Sequence, residues 1–171
     1  KNVINGLGGD RAVLSKELLA NIPDFLDSIK LSKKETNTFV CTISSAGGGS
    51  GATLNIGILD ALMEKGIPCF TILVGDSGDA LKLRNTQAVL ATLNAKAVNK
   101  GKCLISYYVN NAEMDKSQTV GEKLANERIA NVMGVMSLFL SGDNESLDST
   151  DMANFINQQD YKGIKTPPGV Y

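Results

Sequence analysis

Apolar positions along the chain fall into two patterns, continuous runs and helically spaced stripes, which alternate. The continuous runs predict buried strands at 38–44, 68–75 and 102–109. Apolar residues at helical spacing predict helices at 12–29, 50–65, 80–97 and 120–140, with a short helix from Thr150 or Asp151 to Gln159. Pro23 is expected to split or kink the first helix, and Gly66 to end the second. This order predicts an α/β fold, a doubly wound parallel sheet with helices on both faces.

Ligands of such sheets bind beyond the carboxyl ends of the strands, where the turns at 44–51, 75–79 and 110–115 are expected. The first of these turns belongs to the tract Ser-Ser-Ala-Gly-Gly-Gly-Ser-Gly-Ala-Thr, residues 44–53. A strand, a glycine-rich turn and a helix together present backbone N–H groups and a helix N-terminus to an anion. Glycines allow close approach, and Ser50 and Thr53 add hydroxyl donors. The tract therefore predicts a site for the phosphates of a nucleotide.

The composition of the chain makes several classes of function unexpected. The 171 residues, 43% of them hydrophobic, suffice for one domain with a sizeable core. A net charge of −1 predicts no direct nucleic-acid binding. No apolar run approaches the roughly 20 residues needed to span a bilayer, and no signal-peptide pattern is present, so a cytoplasmic protein without membrane partners is expected. Cys41, Cys69 and Cys103 lie in strand-like runs and are interpreted as buried thiols in a reducing compartment.

The chain contains no histidine. This excludes Ser-His-Asp hydrolysis, histidine acid–base catalysis and histidine-ligated metals. No protein metal site is predicted. Proton transfer must then use carboxylates, hydroxyls, lysine or water.

Acidic and glycine clusters outside the first turn are open to two interpretations. Asp148 and Asp151, three residues apart, are either helix-capping residues or a carboxylate pair that orients water for attack on a phosphate. Asp76 and Asp79 follow the second strand and serve either turn chemistry or a ribose.

Lys82 and Arg84 lie either near a phosphate or on a solvated helix face. The tract Asn-Gly-Leu-Gly-Gly-Asp at 5–10 is a simple turn, or it brings Gly8 and Gly9 to the distal phosphate.

The glycine-rich turn is neither a Walker A loop, which needs Gly-Lys-Ser/Thr, nor the Gly-x-Gly-x-x-Gly of a Rossmann fold. It resembles the tubulin/FtsZ signature Gly-Gly-Gly-Thr-Gly-Ser/Thr-Gly, with Gly47 to Thr53 in register. Ser50 replaces the family Thr, and Thr53 replaces the last Gly. Other tracts agree in order: 5–10 with the γ-phosphate loop, 125–127 with Ala-Asn-Asp, and 148–151 with the catalytic Asp-x-x-Asp. Ser146 stands where the family has Asn.

Within this superfamily the chain looks most like the phage-encoded tubulin-like spindle proteins. The similar tracts are 44–48, 97–100 and 147–155, and the likeness runs over nearly the whole chain. It implies that residues 1–141 form part of a GTP-binding domain with its central helix. Residues 142–171 are expected to hold the catalytic loop, the following helix and the start of a connection to an absent C-terminal domain.

The resemblance implies a GTPase whose hydrolysis is coupled to polymerisation into filaments that position phage DNA or capsids in the host cytoplasm. Asp148 and Asp151 would orient water at the GTP of the next subunit, and Mg²⁺ would be held largely by phosphates and water. The residues expected to bind GTP or GDP are Gly8, Gly9, Ala46, Gly47, Gly48, Gly49, Ser50, Gly51, Ala52, Thr53, Asp79 and Asn126.

Two alternatives remain open from the residues. A dinucleotide-binding domain of an oxidoreductase would use Asp76 for a ribose, but it leaves Asn126 and the acid pair without a role. A structural relative that assembles without hydrolysis is compatible with the departures at Thr53 and Ser146.

Overall fold

A computed structural model describes residues 15–29, 40–102, 104–114 and 117–140. Three strands alternate with helices along this part of the chain. The elements are α1 (Ser15–Ala20), α2 (Ile22–Ser28), β1 (Val40–Ser45), α3 (Ser50–Lys65), β2 (Cys69–Gly75), α4 (Ala80–Lys100), β3 (Ile105–Asn110), α5 (Asn111–Met114) and α6 (Gln118–Leu140).

The three strands form a parallel sheet in the order β1-β2-β3. At the carboxyl ends Ser45 lies opposite Val74, and Gly75 lies opposite Asn110. The turns that follow the strands therefore meet at one edge of the sheet, as the sequence predicts.

Helices cover both faces of this sheet, which confirms the predicted fold class. On one face, apolar side chains of α2, α3 and α4 pack against Cys69 and Leu73 of β2. On the other face, Ala125 and Ile129 of α6 pack against strand residues, namely Phe70, Ile72, Ile105 and Val109. The strands are continuous apolar runs in the sequence because helices cover the sheet on both sides.

Several element boundaries follow from local backbone chemistry. The first predicted helix is split at Asn21, and Pro23 lies in the first turn of α2, where the N–H that proline lacks would have no helical partner. Gly66 ends α3 with a φ of 64°, as predicted. Gly101 ends α4 with a φ of 58°, and the Lys102 N–H donates to the Ala97 carbonyl at 2.9 Å. Lys102 thus closes the helix, and β3 begins at Ile105, later than predicted.

A helix that the sequence reading missed is α5. The Asn110 Oδ1 accepts from the Ala112 N–H at 3.1 Å, so an asparagine at the strand end starts a short helical turn where a loop was expected. The short helix predicted near 150–159 lies outside the described residues, as does Cys103. No helix among the described residues is long and apolar enough to cross a membrane.

An ion-pair cluster joins α3 to α4 on the surface. The Asp60 carboxylate lies 2.7 Å from the Lys96 Nζ and 3.2 Å from the Lys100 Nζ, and Lys100 also contacts Glu64 at 2.6 Å. Partial burial acts to raise the pKa of Asp60, but the two lysines outweigh it and hold that pKa below its ordinary value. The two helices that follow β1 and β2 are therefore linked by charge as well as by apolar packing.

Candidate nucleotide site

The glycine-rich loop leaves the sheet at the end of β1 and enters α3. The Ala46 N–H donates to the Val74 carbonyl at 2.8 Å, and the Ala46 side chain is fully buried. The first helical hydrogen bond of α3 runs from the Thr53 N–H to the Gly49 carbonyl at 3.1 Å. The sheet thus holds one end of the loop, and the helix holds the other.

Helix α4 supports the loop from one side. A Cβ built on Gly47 would lie 3.2 Å from the Lys82 Cβ and 3.5 Å from the Lys82 carbonyl oxygen. The Asn85 Nδ2 donates to the Gly47 carbonyl at 3.1 Å. At Gly51, in the first turn of α3, an added Cβ would meet no described heavy atom within 4 Å apart from its chain neighbours and the backbone of its own helix. The loop therefore lies against α4, and the described residues leave space at Gly51.

No side chain of the described residues caps the N-terminus of α3. Gly49 occupies the cap position, and the first turn contains no acidic residue. The first N–H groups of a helix lack intrahelical partners and carry partial positive charge, which favours an anion there. The N-terminus of α4 differs, because Asp79 Oδ1 accepts from the Leu81 and Lys82 N–H groups at 2.7 and 3.1 Å. Within the described ranges, the start of α3 thus suits an anion, whereas the start of α4 is capped by Asp79.

Buried hydroxyls lie beside the loop. The Oγ1 of Thr53 and the Oγ of Ser44 are buried and lack a hydrogen-bond partner among the described residues, and Thr53 as a whole is 6% exposed. A buried polar group without a partner costs free energy. An oxygen-rich ligand at the loop would supply such a partner to Thr53.

The acidic residues after β2 are occupied by local contacts. The Asp76 Oδ2 pairs with the Lys82 Nζ at 2.8 Å, and its Oδ1 accepts from the Gly78 N–H at 2.9 Å. The ion pair with Lys82 lowers the pKa of Asp76 and raises the pKa of Lys82. Asp79 caps α4, so turn and cap chemistry are observed for both acids. The ribose contact of Asp79 stays a prediction.

Lys82 and Arg84 have different surroundings in the structure. Lys82 lies against the glycine-rich loop and is held by Asp76, whereas Arg84 is exposed on α4. Asn126 is exposed on α6, next to Ala125, which packs on the sheet. Gly8, Gly9, Asp148 and Asp151 lie outside the described residues.

The sequence reading missed one residue of this site, Asn85. It lies on the face of α4 that also carries Thr86, Val89 and Leu93, and all four are buried. A polar side chain on an otherwise buried helix face was the available signal, because such a residue needs a partner inside the protein. No group of three or more acidic or cysteine side chains that could hold a metal occurs within the ranges that the structure describes.

Comparison with known proteins identifies similar chains. No family profile matches. A phage tubulin-like protein of Pseudomonas phage 201phi2-1 is 28% identical over 162 residues, which is 95% of this chain and 48% of the relative. This chain thus spans about half the length of that protein.

Solved structures agree with this relative. The phage tubulin PhuZ with GDP superposes with a TM-score of 0.77 and is 27% identical, over 99% of this chain and 51% of that one. A PhuZ201 filament superposes with a TM-score of 0.75 and is 26% identical, over 99% and 50%. The comparisons give no support to a dinucleotide-dependent oxidoreductase. The chain has the fold of the tubulin/FtsZ superfamily, and over nearly all of its length it resembles the phage tubulin-like proteins in that superfamily.

Proposed function

We propose that this chain is the nucleotide-binding part of a filament-forming GTPase. The observation that carries the proposal is the N-terminus of α3, which no described side chain caps and which follows three consecutive glycines. That arrangement suits the negatively charged phosphates of a nucleotide. The GDP named with PhuZ and the filament named for PhuZ201 support the guanine base and the polymer, respectively.

The glycine-rich loop supplies backbone N–H groups to the α- and β-phosphates. The residues that bind are those from Ala46 to Thr53, with Gly8 and Gly9 near the γ-phosphate. Asn126 reads the guanine edge, and Asp79 contacts the ribose. Mg²⁺, when bound with the nucleotide, is held largely by phosphates and water and offsets their negative charge.

Hydrolysis uses acids from a neighbouring copy. Asp148 and Asp151 reach the GTP of the next subunit and orient the attacking water by accepting its protons as hydrogen bonds. Phosphoryl transfer depends mainly on positioning and charge stabilisation, so a protein without histidine is able to catalyse it. Residues 1–141 then belong to the GTP-binding domain. Residues 142–171 hold the catalytic loop, the next helix and the start of a connection to a C-terminal domain.

The phage origin of the relative supports the proposed cellular role. The filaments act in the cytoplasm of a bacterial host and position phage DNA or capsids there. A net charge of −1 does not favour direct binding of this chain to nucleic acid. The cargo is therefore attached to the filament by other contacts.

Sedimentation of the full-length protein with GTP, GDP and a slowly hydrolysed GTP analogue tests this proposal, with phosphate release measured in parallel. We expect polymer with GTP and with the analogue, and phosphate release only with GTP. Asp148→Ala should retain GTP binding but form filaments that do not turn over, while Asp24→Ala, which removes an exposed acid of α2, should behave as the wild type.

Two results would contradict the proposal. Absence of polymer with either triphosphate, at concentrations where the nucleotide is bound, would argue against a filament protein. Normal phosphate release by Asp148→Ala would remove the catalytic role of that residue.

A further inference from the structure

We propose that Asn85 is a positioning residue that orients the glycine-rich loop for phosphate binding, an inference that rests on the nucleotide site proposed above. Asn85 lies in the second turn of α4 and is 8% exposed. Its Nδ2 donates to the Gly47 carbonyl at 3.1 Å. This is a side-chain contact from a different helix to the backbone of the loop.

Because the peptide bond is planar, this contact also fixes the direction of the next backbone N–H group. The described residues contain no cis peptide, so the Gly47 carbonyl and the Gly48 N–H point in opposite directions from the same peptide plane. Asn85 holds the carbonyl on the α4 side. The Gly48 N–H is thereby directed away from α4.

In a run of three glycines, the orientation of a peptide plane is weakly restrained unless another residue holds it. Glycine adopts conformations on both sides of φ = 0 with similar ease, so an unanchored peptide plane between Gly47 and Gly48 is free to rotate. Rotation would turn the carbonyl oxygen, a negative dipole end, towards a bound phosphate. The amide of Asn85 favours the orientation in which a donor faces the anion.

The surroundings of Asn85 make α4 a firm base for this contact. Asp79 caps the first turn of α4, and Lys82, one turn before Asn85, packs its Cβ region against Gly47. Lys82 is in turn paired with Asp76, the first residue after β2. The loop therefore lies on a helix whose first turn is held to the turn that follows β2.

Nucleotide titrations of the full-length protein test this role. Asn85→Ala removes the donor, and Asn94→Ala removes an exposed asparagine of the same helix as a matched control. GDP and guanosine are the probes, each displacing a fluorescent guanine nucleotide at a temperature where circular dichroism shows every variant to be folded. We expect GDP to bind Asn85→Ala at least tenfold more weakly, guanosine to bind it within twofold of the wild type, and Asn94→Ala to bind both normally.

If Asn85→Ala does not give the wild-type dichroism spectrum, Asn85→Leu, which is similar in size and donates no hydrogen bond, is measured in the same way. A variant that binds GDP as the wild type does, with only a lower melting temperature, would overturn the positioning role and leave the nucleotide site standing. An equal loss for GDP and guanosine would also overturn it. A wild-type protein that does not bind GDP would overturn the proposed function, and this inference with it.

Discussion

At the scale of single residues, the glycines of the glycine-rich loop and of the first turn of α3 differ in why glycine is present. Gly47 lies against the backbone of Lys82, so a side chain there would press on α4. Gly51 is exposed in the first turn of α3, and no described atom lies near the position of its missing Cβ. The packing of the described residues therefore does not require a glycine at 51, whereas close approach of a ligand to the backbone would.

Gly51→Ala should separate ligand binding from folding. Alanine in a helix is favoured over glycine by about 1 kcal/mol, so the free protein should be as stable as the wild type or slightly more stable. The new methyl group should lower GTP affinity at least about tenfold, which corresponds to about 1.4 kcal/mol. Thermal melts and nucleotide titrations measure the two effects.

Gly134→Ala on α6 is the matched control, since its Cβ also meets nothing within 4 Å in the described structure. It should raise stability similarly and leave GTP affinity unchanged. Unchanged GTP affinity in Gly51→Ala would show that no ligand approaches this turn.

At this scale the sequence alone predicts the glycine-rich loop, but it does not predict the contact that Asn85 makes with that loop. A run of glycines between a strand and a helix has few structural explanations, so the loop was found directly. The partner of Asn85 lies 38 positions away in the chain, and only the folded arrangement of α4 and the loop brings the two together. For Asp79 the sequence leaves turn chemistry and a ribose contact open, and the structure shows local backbone contacts in the form of a helix cap.

At the scale of elements, Asp79 caps α4, whereas no described side chain caps α3. Substitutions of Asp79 therefore test how much this cap contributes. Asp79→Ala should destabilise the protein by about 1 kcal/mol because it removes the cap of α4, and Asp79→Ser should restore most of that loss. If Asp79 also contacts the ribose, Asp79→Ser should bind GDP more weakly at nearly wild-type stability. Wild-type GDP affinity in Asp79→Ser would restrict this residue to the cap.

The ion-pair cluster between α3 and α4 predicts a pH dependence of stability. The pKa of Asp60 is lower in the folded protein than in the unfolded chain, so its contribution is complete above the ordinary pKa of about 3.9. It is lost as the pH falls through the lowered pKa, because the carboxylate then becomes protonated. Asp60→Asn should therefore cost about 1 kcal/mol at neutral pH, and this difference from the wild type should shrink below about pH 4.

Urea denaturation between pH 3 and pH 7 measures that difference. Asp24→Asn, which changes an exposed acid of α2, is the control and should stay within a few tenths of a kcal/mol of the wild type throughout. A difference for Asp60→Asn that is constant down to pH 3 would contradict the assigned ion pairs.

Element order and sheet direction followed from periodicity, because buried parallel strands and covering helices leave strong apolar patterns. The errors lie at element ends. The turn at Gly101 uses Lys102 to close α4, and Asn110 starts α5 by accepting from the backbone two residues later. Both depend on local hydrogen bonds that apolar periodicity does not record.

At the scale of the whole molecule, the parallel sheet gathers its turns at one edge, and the proposed enzyme divides its site between two copies. In the proposed function, the nucleotide binds at that edge, on the loop that follows β1, and Asp148 and Asp151 act on the nucleotide of the next subunit. The chain spans about half the length of the phage relative, so the proposed assembly and hydrolysis are tested on the full-length protein. Binding of the nucleotide phosphates by the first loop is the step on which the others depend.

Hydrogen–deuterium exchange of the full-length protein with and without GDP tests that step most directly. We expect saturating GDP to slow exchange of the amides at 47–52 at least about tenfold, since phosphate oxygens would accept from them, while the last two turns of α4 change little. Bound GDP with unchanged exchange at 47–52, or with slowing confined to other segments, would contradict phosphate binding by this loop.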